Sequence, residues 1–429
     1  MFETIKTRLK FLSGDKKSVL ALVGGTTVAQ ALSFLFSPIQ TRLFSPEVFG
    51  ELSVFTSITG IVGVIICLRY ELAIVLPKDD DEGFALLKLS WLFAAIVSTA
   101  SLIVFGFWRK PIYTRFSAPA LARYWYYVPI MLMLGGIIQA ANYWLIRRRQ
   151  FTILSYNKVL PGLAINLVSI GLGFAGNRAL SARLFSTLLG NIVNIAVLAW
   201  ALVPDMRVKR EKHYRKTELV GKYKNFLVYD IWGALINNLS WMIMPILVNY
   251  YFGSYIAGQY SIGLRAIQLP INIIGASVGQ VFIQSASERR NKKELYPYTI
   301  RIIKKLFVYT IPFALLILFF GKFLFRIAFG DNWEIAGLYA QILSPWAMIW
   351  FLSNPISSLY SILQKQNIHL IIAIINLITR FLSLYLGKKL NSPVLGMVFF
   401  SFSGSVVYFI FLVVAVLLAK ESDRYFKSL

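Results

Sequence analysis

The feature that most limits what this chain can become is a succession of long uncharged apolar runs, such as 124–146 and 393–418, separated by basic loops. A bilayer core about 30 Å thick is crossed by roughly 20 helical residues, and the runs match that length. Inside lipid, every backbone N–H and C=O needs a partner within its own segment or in a closed barrel. Barrel strands would read as alternating segments of about ten residues. These runs are longer and do not alternate, so they read as helices. Composition agrees: of 429 residues, 57% are hydrophobic and only 15% charged. A soluble fold of this size carries more charge on its surface.

Spans are expected near 19–41, 48–68, 84–107, 124–146, 154–174, 183–203, 226–251, 256–286, 302–320, 336–362, 367–387 and 393–418. Trp91, Trp108, Trp125, Trp144 and Trp200 fall near expected ends, where interfacial anchors sit. The basic clusters Arg147–Arg149, Arg207 to Lys224 and Arg289 to Lys305 mark the cytoplasmic side by the positive-inside rule, which also places both termini there. The outer loop from Arg109 to Arg123 is the exception. Met1–Lys17 is polar and basic, either an amphipathic helix on the inner surface or a solvated tail, and has no cleavable leader pattern. The net charge of +25 belongs to these loops, so it argues for membrane topology and against a nucleic-acid partner. Cys67 is the single cysteine and cannot form an internal disulfide.

The central basic loop, 204–224, divides the chain into 1–210 and 211–429, each with six expected spans. Leu32-Ser33, Pro38, Gly50 and Ser53 recur in order and at nearly equal spacing as Leu239-Ser240, Pro245, Gly258 and Ser261. Pro129, Arg149 and Gln150 match Pro345, Lys365 and Gln366 in the same sense. Six spans return the chain to its starting side, so the repeats have parallel topology and an axis along the membrane normal. The expected fold class is therefore all-α: a polytopic membrane protein of about twelve helices, in two pseudo-symmetric six-helix bundles around a central cavity. A duplicated structural protein without a cavity is the alternative.

An ionisable side chain deep in a span costs roughly 2.5–3.5 kcal/mol on insertion scales and usually faces a protein-lined interior. Arg265 falls about nine residues, roughly 14 Å, from the outer end of the eighth span, near mid-membrane. Ser261, Arg265, Gln268, Asn272, Gly275 and Gly279 follow at helical steps and share one polar, narrow face. A fixed cation flanked by amides suits an anionic, hydrogen-bonding cargo; an arginine satisfied by backbone carbonyls at a helix contact is the other reading. Gln30 lies on a polar stripe of the first span, Asn237 with Asp230 on the seventh and Lys158 on the fifth, and such stripes are also helix-packing seams. Arg380 either faces the cavity or snorkels outward, and Lys158 either faces the cavity or snorkels inward. Asp230 and Glu71 either carry a coupling ion or pair locally, Glu71 with Arg69.

Enzyme motifs are absent: no phosphate loop, zinc-type cluster or GxSxG occurs, and His213 and His369 lie at loop positions in different halves. No catalytic residue, metal ligand or cofactor is expected. Transport is.

The stretch Ser37-Pro38-Ile39-Gln40-Thr41-Arg42-Leu43-Phe44-Ser45-Pro46-Glu47-Val48-Phe49-Gly50, followed by Leu68-Arg69-Tyr70-Glu71-Leu72-Ala73-Ile74-Val75-Leu76-Pro77, resembles the amino-terminal signature of the Wzx-type polysaccharide flippases. These belong to the multidrug/oligosaccharidyl-lipid/polysaccharide exporter superfamily. Gly258-Gln259-Tyr260-Ser261, Pro270 and Gly279-Gln280-Val281-Phe282 resemble the same family. The resemblance implies a bacterial inner-membrane protein that moves undecaprenyl-pyrophosphate-linked oligosaccharide from the cytoplasmic to the periplasmic leaflet by alternating access, and a polysaccharide polymerase complex as a partner. Helical phase then assigns Arg265, Arg380 and Lys158 to the pyrophosphate, and Gln268, Asn272, Asn237 and Gln30 to sugar. Asp230, Glu71, Arg69 and Arg42 are left for ion coupling or gating. Competing functions are a cation-coupled drug antiporter and a peptidoglycan-precursor lipid flippase. A membrane glycosyltransferase would carry a large soluble loop, and the longest hydrophilic loop here has about 20 residues, one span's length.

Overall fold

The computed structural model describes residues 14–115, 117–210, 212, 214–290 and 293–425. Residues 1–13, most of the stretch expected to lie on the inner surface, fall outside them. The described residues contain helices and no strand. In chain order the long helices are α1 Gly14–Leu43, α2 Pro46–Gly63, α3 Asp80–Phe107, α4 Tyr127–Arg147, α5 Phe151–Phe174 and α6 Leu180–Arg207. The continuous run Ile231–Arg290 is broken at Gly253, whose φ of 85° suits glycine alone; it supplies α7 (231–252) and α8 (254–290). Then come α9 Leu295–Phe329, α10 Glu334–Ser353, α11 Gln366–Lys389 and α12 Pro393–Tyr425. Twelve long helices are thus present among the described residues, in line with the apolar runs.

Nine segments among the described residues are long and apolar enough to cross a membrane, one of them containing both α7 and the start of α8. The helix α2 falls short of that standard because Glu47 and Glu51 lie in its first half. It also ends early. Instead of running to residue 68, α2 stops at Gly63, and a turn followed by a 3-10 segment, Tyr70–Val75, carries the chain to α3. Prolines lie inside α1, α5, α6, α7, α8, α9 and α10, as membrane helices tolerate where other groups can satisfy the freed carbonyls.

Two compact units emerge, and their boundary is not the central loop. The first holds Met1–Phe44 with Val54–Met242, the second Ser45–Ser53 with Ile243–Leu429. The first half of α7 groups with the first unit because Asn238 Nδ2 donates to Gly60 O at 2.8 Å and Arg69 reaches Asp230. The first turns of α2 group with the second unit because Phe49 packs edge-on against Trp333, at 5.1 Å.

Within the first unit α1 packs on α5, α5 on α6, and α3 on α4. Trp144, expected near a membrane surface, is instead buried; its indole N–H donates to Asp205 Oδ2 at 2.8 Å. Within the second unit α9 packs on α10, α11 on α12, and α12 also on α10. Its centre is aromatic: Trp346 stacks on Trp350 at 5.5 Å and meets Phe400 at 5.1 Å.

Candidate functional site

The face of α8 that carries Ile267 and Ile271 turns into the second unit, where both residues line a small apolar cavity with Phe313 and Ile317 of α9 and Met348 of α10. Gly263, on the same side, abuts Ala336 O of α10. The opposite face carries Arg265 and Asn272, both exposed, with Gln268 half-buried between them and Ser261 half-buried one turn before Arg265. The polar stripe therefore points away from its own bundle. Arg265 makes no hydrogen bond or ion pair among the described residues. The stripe does not stay open along its length: a Cβ at Gly275 would sit 3.2 Å from Asn354 Nδ2, and one at Gly279 3.7 Å from Pro355 Cα, so its far end is a packing seam.

Arg380 is placed differently. Only 1% of it is exposed, and its guanidinium lies over the rings of Phe400 and Trp346, at 5.5 and 5.9 Å. Arg380 also donates to the Tyr408 hydroxyl oxygen. It neither snorkels nor faces open space in this conformation; stacking on aromatic faces offsets part of the cost of burying the cation.

In the first unit Lys158 and Asn237 are exposed and Gln30 is half-buried. Two amide pairs tie the polar stripes together. Gln40 Nε2 donates to Asn166 Oδ1 at 2.8 Å across α1 and α5, and Asn157 Nδ2 to Asn142 Oδ1 at 2.8 Å across α5 and α4. The α5 stripe is thus partly a seam. Arg183 is the residue sequence reading missed: it is 6% exposed, donates to Ser169 Oγ at 2.8 Å and lies over Phe44 at 5.4 Å. Its position at the very start of an expected span disguised it as a loop cation. Arg42, in the last turn of α1, is exposed and its Nη1 lies 3.4 Å from Pro38 O.

The three remaining candidates do meet. Arg69 Nε is 2.6 Å from Asp230 Oδ2, and its Nη1 is 3.6 Å from Glu71 Oε1. Glu71 is wholly buried, accepts a 2.9 Å bond from Gln139 Nε2, and leaves Oε2 without a partner. Leu68 and Arg69, at φ 49° and 67°, are consecutive non-glycine residues in the left-handed region, a strain that folds retain chiefly at working sites. Asp230 closes the one-turn π-helix Phe226–Asp230. Arg69 and Gln139 also line a cavity of about 260 Å³ with Thr59, Gly60, Gly63 and Gly135.

A second charged cluster holds the central loop. The acids Asp79 to Glu82 open α3, where they also favour the helix dipole. Each takes partners from basic segments: Asp80 from Arg147 and Arg148, Asp81 from Arg210, Asp79 from Lys212 and the Tyr214 hydroxyl, and Glu82 from Lys222 and Tyr223. Arg210 also lies 3.7 Å over the Phe84 ring. The Tyr214 hydroxyl, the Asp81 backbone N–H and Lys212 together pull the Asp79 carboxyl down to about 2.

This arrangement of helices is found in solved structures of membrane transporters. It is similar to an inward-facing multidrug resistance MATE family transporter of the MOP superfamily, with TM-score 0.74 and 15% identity over 94% of this chain and 99% of that one. It is also similar to the lipid II flippase MurJ in an inward closed conformation, with TM-score 0.72 and 14% identity over 94% and 90%. A Vibrio cholerae MATE transporter, VcmN, follows at TM-score 0.58 and 13% identity over 95% and 96%. At these identities the likeness is one of fold. No curated protein is a significant sequence match. The family is shown by sequence: the model of the polysaccharide biosynthesis protein family matches residues 39–336, and the chain belongs to that family.

Proposed function

We propose that the protein is a flippase that carries undecaprenyl-pyrophosphate-linked oligosaccharide repeat units from the cytoplasmic to the periplasmic leaflet, by alternating access, for O-antigen, capsule or exopolysaccharide assembly. The observation that carries this reading is Arg265: a cation in the first half of α8, exposed, with no hydrogen bond or ion pair among the described residues, and flanked on its own face by Gln268 and Asn272. A pyrophosphate takes charge-assisted bonds from a guanidinium fork, and sugars take amide bonds. Lys158 supplies a second accessible cation, and Asn237 and Gln30 further amides. Arg380 acts on the cargo only in a conformation that opens its aromatic enclosure. Arg69, Glu71 and Asp230 form the network on which ion coupling would act, with Arg42 near the start of α2 as a gating residue. An inner-membrane location with cytoplasmic termini and a polymerase complex as partner complete the proposal.

Membership of a polysaccharide biosynthesis family supports the choice of cargo, and one structure of similar fold is the lipid II flippase MurJ. The second reading, a drug antiporter, is favoured by the MATE likeness. It is opposed by charge: from Gly83 to Pro204, a stretch that includes α4, α5 and nearly all of α3 and α6, the sequence has no carboxylate to receive a cationic drug. Surface glycan in a flippase-deficient strain carrying Arg265→Ala tests the proposal, and drug resistance conferred by the wild-type chain tests the alternative.

A further inference from the structure

We infer that the cavity beside Arg69 is a docking site for a diphosphate group, and that a phosphate bound there replaces Asp230 as the partner of Arg69. The inference rests on the reading of the cargo as a diphosphate-linked lipid. It gives that headgroup a place in the first unit, apart from Arg265 on α8.

The space is sufficient. At about 260 Å³ the cavity far exceeds the ~10–15 Å³ that one water needs. Gly60, Gly63 and Gly135 leave part of its wall without side chains, and among the described lining residues Arg69 supplies the only formal charge. Asp230 engages the Nε edge of the guanidinium, whereas Nη2 makes no hydrogen bond among the described residues. The planar fork of arginine presents paired donors to phosphate oxygens, so a phosphate in the place of Asp230 would grip Nε together with the unused Nη2.

The two carboxylates beside Arg69 are not equivalent. Glu71 has a side chain 0% exposed, lies at 3.6 Å and is held by Gln139; Asp230 is 44% exposed and lies at 2.6 Å. Displacing Glu71 would strand a buried charge, at a large penalty. Displacing Asp230 returns a carboxylate to water at little cost. A diphosphate carries more charge than one carboxylate and competes well for the same cation.

The backbone on both sides is suited to exchange. Arg69 sits in the strained left-handed pair with Leu68, and Asp230 closes a π-helical turn. Such turns mark functional positions in helices. Loss of the ion pair would release the first turn of α7 from the Arg69 connection while leaving Arg69–Glu71–Gln139 intact.

The test is calorimetric titration of inorganic pyrophosphate into the purified full-length chain in detergent, in an Arg265→Ala background so that α8 does not contribute, with sulfate as the control anion. Asp230→Asn is expected to tighten pyrophosphate binding at least about threefold by removing the competitor, and Arg69→Ala to weaken it about tenfold or more. Asp230 is half-exposed, so its variant keeps the test valid even where Arg69→Ala folds poorly. Unchanged or weaker binding by Asp230→Asn, or no pyrophosphate binding in this background, overturns the inference. Failure of the flippase reading shows separately, as normal surface glycan in Arg265→Ala cells, and leaves this titration unaffected.

Discussion

Gly50 of α2 and Gly258 of α8 stand against one another. A Cβ on Gly50 would run into Ser254 O and come within 3.0 Å of Gly258 N, and one on Gly258 would run into Pro46 O and come within 3.1 Å of Gly50 N. They are matched members of the duplicated motif, so each repeat supplies one side of the same close approach. Small residues let helix backbones meet in this way in membranes. Because backbone atoms are the obstacle, either Gly50→Ala or Gly258→Ala forces the helices apart, at about 1–3 kcal/mol or more. Thermal unfolding in detergent should show both variants clearly destabilised. Gly162→Ala, where a Cβ meets nothing within 4 Å, should be neutral or slightly stabilising.

The two intramembrane arginines of the second unit should separate in stability measurements. Arg380→Ala empties an enclosed site lined by Trp346, Phe400 and Tyr408 and should cost about 2–5 kcal/mol, the range for truncating a large buried side chain. Arg265→Ala removes an exposed side chain and should leave the unfolding temperature within about 2 °C, a surface-like effect. Equal losses in the two variants would contradict the placement of one or the other.

Glu71 lies in the connection between α2 and α3, and burial holds its carboxyl above the ordinary carboxylate range, with Arg69 and Gln139 opposing only in part. A carboxyl raised by folding destabilises the native state once ionised. The stability is therefore complete at low pH and lost as pH rises through the folded value. Glu71→Gln fixes the uncharged form, so it should raise the unfolding temperature at pH 8, and the gain should shrink as the pH is lowered. A variant less stable than wild type at pH 8 would show that Arg69 needs the charge.

Asp79 has the opposite sign. Its carboxyl is drawn from the ordinary 3.8 to about 2, so its hold on Lys212 and Tyr214 is full above the ordinary value and lost as pH falls toward 2. Pepsin cleavage between Tyr214 and Leu219 should accelerate over that interval in the wild-type chain. In Asp79→Asn the loop should already be cleaved faster at pH 4. Equal rates at pH 4 would mean that the loop is held by its other pairs alone.

Much of this was legible in the apolar runs. Chain-length arithmetic locates twelve helices because lipid imposes a minimum length and forbids irregular backbone. What it missed depends on side chains meeting in space. Glu47 and Glu51 weaken the α2 signal, and the chain's early exit into the turn at Leu68-Arg69 has no periodic signature. Arg265 and Arg380 look alike as single cations in apolar spans, yet only the aromatic partners of Arg380, on α10 and α12, make it an enclosed residue. Helical phase placed Arg265, Gln268 and Asn272 on one face, and they share it; it could not see that Gly275 and Gly279, in the same phase, are covered by Asn354 and Pro355. The pairing of Asp79–Glu82 with the central loop joins segments more than a hundred residues apart, beyond the reach of local pattern.

The claim on which the functional account turns is that the Arg265 guanidinium meets the cargo. Its most direct test is surface glycan produced by a flippase-deficient strain carrying wild type, Arg265→Ala or Arg265→Lys, each at matched membrane abundance. The account predicts loss of glycan with alanine and partial recovery with lysine, which keeps the charge without the fork. Wild-type glycan from the alanine variant would contradict it.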